Sequence, residues 1–110
     1  MGKEIDFKKG NGLVPVIIQE YESRVVLMLG YMNKEALQKT IKTGWVHYWS
    51  RVRKKLWLKG EESGNKLKVI EMTTDCDNDA LLVSAKLKGK TVCHTGNYTC
   101  FFKNIIKRSI

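Results

Sequence analysis

The sequence predicts a β-rich α+β domain, made mostly of antiparallel strands with one clear helix. Three observations carry the prediction. Apolar, partly β-branched runs such as Leu13–Ile18 and Val25–Leu29 recur between short polar breaks, which is strand patterning. Only one stretch combines helical spacing with start and stop signals. The 110 residues, 43% of them hydrophobic, form one unit, 1–110, with no repeat, linker or low-complexity segment.

Leu13–Ile18 and Val25–Leu29 flank Gln19–Ser23, which predicts a hairpin of two largely buried strands. Asn33 is a helix N-cap, Ala36, Leu37, Thr40 and Ile41 follow at helical spacing, and Gly44 is a stop signal. The helix is therefore placed at Lys34–Thr43. Trp45–Arg51 reads as a strand with aromatics on both faces, and Leu56–Lys59 as another. Ser63, Gly64 and Asn65 mark a loop. In Lys66–Thr74, Leu67, Val69, Glu71 and Thr73 alternate with Lys68, Ile70, Met72 and Thr74, as expected of a strand. Ala80–Leu87 is a further strand and Tyr98–Lys103 a late aromatic one. Residues 1–11 are expected to be a flexible N-terminus.

A domain this short buries only about two-thirds of its surface on folding, so a shared dimer core or a bound metal would support it. The balance of 20 Lys+Arg against 11 Asp+Glu, formally +9, attracts polyanions without choosing among nucleic acid, anionic membrane and phosphorylated metabolites. Met1–Gly10 is polar and lacks an apolar signal core, and no apolar run reaches the ~20 residues of a membrane span. A cytosolic location is the expectation. A cytosol keeps thiols reduced, so Cys76, Cys93 and Cys100 point to metal binding, catalysis or burial rather than to disulfides.

Three thiolates suit a catalytic zinc with an open position for water. Their spacing is not that of a zinc finger, so buried reduced cysteines and a nucleophilic cysteine beside His94 stay open. Asp75, Asp77 and Asp79 share one face if the segment is extended, with Cys76 on the other. A hard, oxygen-seeking cation such as Mg2+ relieves the repulsion of three converging carboxylates; a solvated polar turn is the alternative. Trp45–Lys59 mixes rings with cations. Trp49 could stack on a base and Arg51, Arg53 and Lys59 could hold phosphate, with Ser63, Gly64 and Asn65 adding short polar groups. The same pattern serves single-stranded nucleic acid, or simply a solvated basic face. P-loop, zincin, zinc-deaminase and serine-hydrolase signatures are absent.

Together the motifs resemble the phosphoribosyl-AMP cyclohydrolase family of histidine biosynthesis. The matching stretches run in order: Gly12-Leu13-Val14-Pro15, Val26–Asn33, Gly44–Arg51, Leu56–Glu61, Ser63-Gly64-Asn65, Asp75-Cys76-Asp77, Asp79–Leu82, Cys93–Gly96 and Cys100-Phe101. The resemblance implies hydrolytic opening of the adenine ring of phosphoribosyl-AMP at N1–C6 by zinc-activated water. It further implies zinc on Cys76, Cys93 and Cys100, magnesium on Asp75, Asp77 and Asp79, and an intertwined homodimer whose zinc site draws cysteines from both subunits. Val52 and Glu62 depart from the family pattern in the presumed substrate region. His94 is the candidate proton shuttle, with His47 in reserve. The rival reading is a zinc-stabilised single-stranded nucleic-acid-binding module. On the cyclohydrolase reading the partners are a phosphorylated nucleotide substrate and a second subunit, with neither nucleic acid nor membrane.

Overall fold

A computed structural model describes residues 4–110. The chain runs β1 (Val14–Glu20), β2 (Val26–Met32), α1 (Lys34–Thr43), β3 (His47–Ser50), β4 (Lys55–Leu58), β5 (Lys66–Thr74) and β6 (Leu81–Lys88). β1, β2, β5 and β6 form one sheet in the order β2-β1-β6-β5; β3 and β4 form a two-stranded ribbon. All pairings are antiparallel except β1 with β6, whose long connection carries β2, α1, the ribbon and β5. The expected β-rich α+β class is borne out.

The core lies on one face of the large sheet. Val14, Val16 and Ile18 of β1 alternate inward beside Leu27 and Met32 of β2, Leu81, Val83 and Ala85 of β6 and Leu67 of β5. Ala36 and Leu37 of α1, then Val46 and Tyr48, close over them. The helix begins and ends where its sequence dictates. Asn33 Oδ1 accepts the Ala36 N–H at 2.8 Å, and Gly44, at φ 81°, donates its N–H to the Thr40 carbonyl. Of the N-terminal stretch expected to be flexible, residues 1–3 lie outside the described residues. Ile5 and Phe7 pack against the core, and Asp6 N–H bonds to the Asn78 carbonyl.

Three expectations are corrected. The alternation of β5 changes phase because the pairing with β6 slips between Val69 and Glu71, leaving Ile70 exposed. Leu67, Val69 and then Met72, rather than Glu71, therefore face the core. The strand expected at Trp45–Arg51 shortens to β3, with Trp45 reduced to a single bridge opposite Lys68. The late strand at Tyr98–Lys103 does not form. That segment is tied to the outer edge of β2 by Cys100 N–H to the Leu27 carbonyl and by Thr99 Oγ1 to the Val26 and Leu27 carbonyls. A side-chain hydroxyl there takes a bond that a ladder would give to backbone.

Candidate metal and substrate site

The chemistry-bearing residues fall into two groups at opposite ends of β6. The turn between β5 and β6 holds Asp75, Asp77 and Asp79, whose ligand atoms lie within 4.8 Å of one another. The carboxylates converge as expected, but for a different reason. The segment is a turn rather than extended: Asp75 Oδ1 accepts the N–H groups of Asp79 and Ala80, and Asn78 takes a left-handed φ of 63°. Cys76 is exposed in the same turn. The Lys9 ammonium reaches Asp77 at 3.2 Å and Asp79 at 3.1 Å. Its hydrogen bond holds Asp77 below the usual carboxylate range. At Asp79 the same ammonium is outweighed by Asp75, desolvation and Asp77 together, and that carboxyl is held above the usual range.

Beyond the other end of β6, Cys93 sits in a tight loop. Its N–H bonds to the Asn97 carbonyl and its carbonyl accepts the Gly96 N–H. Asn97 Nδ2 donates to Thr95 Oγ1, which donates to Cys93 Sγ at 3.0 Å. That hydroxyl is the main reason the Cys93 thiol is more acidic than usual. Cys100 is its neighbour, pushed the other way by desolvation and then by the Cys93 charge. Lys59 reaches in from the end of β4; it is only 7% exposed, and its Nζ donates to the Val92 carbonyl at 2.7 Å. Tyr48 is fully inside, its ring against Gly30, and among the described residues its hydroxyl is the one buried side-chain polar atom without a partner. Burial, and secondarily Cys100, pushes that phenol well above its ordinary value.

The three cysteines therefore do not meet within one chain. The eight residues of β6, about 25 Å of extended backbone, lie between the Cys76 turn and the Cys93 loop. Among the described residues the aspartates are the one group of three with metal-binding spacing. His94 is exposed beside Cys93. His47 is buried; its N–H bonds to Thr40 Oγ1 and its ring Nδ1 donates to the Trp45 carbonyl, which leaves Nε2 as the nitrogen that can exchange a proton.

The basic and aromatic residues are dispersed. Arg51 and Arg53 sit at the exposed β3–β4 turn, with the Arg51 guanidinium 4.0 Å from the Tyr31 ring centre. Trp49 is half-buried. Ser63 Oγ accepts the Asn65 N–H, and Gly64 takes a φ of 82°. Asn65 Oδ1 accepts the Lys90 N–H, tying this loop to the strand exit that leads to Cys93. Sequence reasoning missed Lys9 and Asn97 as participants, and it offered Tyr48 for ring stacking rather than as a residue buried in the core. Thr95 carried a signal, a hydroxyl two residues after a cysteine. Lys9 carried none, since its partners are nearly seventy residues away. A cleft of about 560 Å³ lined by Ile5, Phe7, Leu37 and Met72 contains none of these residues.

A family profile described as phosphoribosyl-AMP cyclohydrolase matches residues 28–102. The chain belongs to that family. It is 54% identical to a phosphoribosyl-AMP cyclohydrolase of Solibacter usitatus (strain Ellin6076) over 92% of this chain and 80% of the relative. It is likewise 54% identical to one from Archaeoglobus fulgidus over 93% of each. A histidine biosynthesis bifunctional protein HisIE of Bacteroides thetaiotaomicron is 59% identical over 89% of this chain, which spans 48% of that longer protein. Cys93, Cys100, Cys76 and the aspartate turn fall inside the matched residues. The relatives do not favour the nucleic-acid-binding alternative.

Proposed function

We propose that the protein hydrolyses phosphoribosyl-AMP at N1–C6 of the adenine ring, a step of histidine biosynthesis. The observation that carries this is identity of 54% to proteins of that name across more than nine-tenths of the chain. The phosphorylated nucleotide suits the +9 charge.

The residues fit both implied metals. At the thiol pair, Cys93 is already acidified by Thr95, and the unpartnered Tyr48 hydroxyl lies within the electrostatic reach of Cys100. At the turn, the Lys9 ammonium occupies the place of a cation between Asp77 and Asp79. Cys93 and Cys100 would hold zinc with Cys76 of a second subunit, and Asp75, Asp77 and Asp79 would hold magnesium. Zinc supplies a Lewis acid that makes water nucleophilic near neutral pH. Magnesium supplies positive charge for phosphate oxygens.

The chain's own groups do the rest. Thr95 and Asn97 orient Cys93 through their hydrogen-bond relay. His94, exposed beside Cys93, gives a proton to N1 as the N1–C6 bond breaks, with His47 Nε2 as the reserve. Arg51 and Arg53 offer cations to phosphate, and Trp49 a ring for stacking.

A homodimer with a shared zinc site is part of the proposal, and exposed apolar surface supports it. Ile17 pairs in register with both Leu29 and Leu82, so the three form one apolar row on the sheet face away from the core. Phe101, Phe102, Ile105 and Ile106 are also exposed, Phe101 by 61%. A second copy would cover this surface and bring Cys76 to the thiol pair. No described helix is long and apolar enough to cross a membrane, and a cytoplasmic location is proposed with the pathway.

The test is zinc content together with turnover. Protein purified without chelator should hold about one zinc per subunit and convert phosphoribosyl-AMP when magnesium is present. Cys93→Ala should lose both properties. Zinc without turnover would sink the reading.

A further inference from the structure

We propose that Lys59 is a positioning residue for the metal thiolates, the cation that balances Cys93 and Cys100, rather than a ligand of substrate phosphate. The inference rests on the zinc reading above. Three features of Lys59 lead to it.

The first is burial. A lysine only 7% exposed is costly unless its charge is balanced. The second is the absence of any carboxylate partner. Among the described residues the ion pairs are those of Lys9 with Asp77 and Asp79, so no acid balances Lys59. Its one side-chain hydrogen bond goes to the neutral carbonyl of Val92, the residue before Cys93, and its Nζ stands 5.9 Å from the centre of the Trp57 ring. The third is its neighbours. Desolvation holds the ammonium below the usual lysine range, and the groups that oppose it are the sulfurs of Cys100 and Cys93. Zinc held by three thiolates would carry one net negative charge, which one fixed cation nearby offsets. The bond to Val92 also fixes the backbone that presents Cys93. Partners of this kind typically alter metal affinity 10–100-fold, on the order of what is expected here.

Phosphate recognition predicts otherwise, because a phosphate ligand must present its ammonium to a solvent-filled cleft. Lys59 instead points its Nζ into the Val92–Cys93 loop.

The test measures zinc affinity by competition with a chromophoric chelator on the full-length protein, then KM for phosphoribosyl-AMP at saturating zinc. Lys59→Met should bind zinc about tenfold or more weakly. Lys59→Arg, which keeps the charge, should recover most of that affinity, and KM of the zinc-loaded Met variant should stay near that of the parent. If Lys59→Met does not fold, Lys59→Gln removes the charge while keeping an N–H donor, and its zinc affinity should fall in the same way. Parent-like zinc affinity in the Met or Gln variant, with a raised KM, would overturn the proposal and return Lys59 to phosphate. A parent protein that binds no zinc would instead overturn the zinc reading itself.

Discussion

Gly30 shows how one missing side chain makes room for a buried ring. A Cβ at that position would collide with Cε1 and Cδ1 of Tyr48, a ring fixed in the core. Gly30→Ala must displace the ring or the strand, an overpacking cost of about 1–3 kcal/mol. Urea unfolding should show that loss as a lower midpoint with an unchanged slope. Glu20 is a second residue with a readable role. Its carboxylate accepts the N–H groups of Ser23 at 2.7 Å and Glu22 at 3.1 Å, and the Ser23 bond holds it below the usual glutamate range. A carboxyl whose folded value is depressed stabilises the fold above its unfolded value and loses that contribution as pH falls through the folded one. Glu20→Gln should therefore melt below the parent at neutral pH, and the difference should close as the pH drops below the ordinary glutamate range. A gap that persists at acid pH would show that Glu20 acts through something other than its charge.

At the scale of elements, α1 offers the cleanest prediction. Asn33→Ala removes the side-chain acceptor for the Ala36 N–H and should cost about 1 kcal/mol, seen as a lower melting temperature with zinc content unchanged. This helix was legible in the sequence because its spacing, cap and stop are all local. The β1–β2 hairpin was legible for the same reason, and so were β5 and β6 as separate strands, though not their pairing: alternation and turn residues lie within a few positions. What was not legible depends on partners distant in the chain. The slip at Ile70 is set by packing against β6, and nothing around Ile70 announces it. Tyr98–Phe102 has strand-like residues, yet only Cys100 and Thr99 engage the edge of β2. The aspartates were legible as a cluster, though a turn rather than an extended face brings them together. Lys59 was legible as a cation but not as a buried one, since its partner Val92 lies 33 residues on.

For the whole molecule, the separation of Cys76 from Cys93 and Cys100 is what gives the proposed second subunit a chemical task. One chain carries two neighbouring thiols, the acidified Cys93 and Cys100, at one end of β6 and a lone exposed thiol at the other. It also leaves the row Leu29, Ile17 and Leu82 uncovered. A copy seated on that row answers both needs, and the small core gives it an energetic reason. The measurement that tests this most directly is complementation between two inactive variants. Cys76→Ala and Cys93→Ala subunits, carrying different tags, are co-expressed and the mixed dimer is isolated. A shared site predicts that each parent homodimer lacks zinc and turnover. In the mixed dimer, one site would regain Cys76 from one subunit and the Cys93–Cys100 pair from the other, giving about one zinc per dimer and restored hydrolysis of phosphoribosyl-AMP. A mixed dimer as inert as both parents, or a Cys76→Ala homodimer with full zinc and turnover, would contradict the shared site.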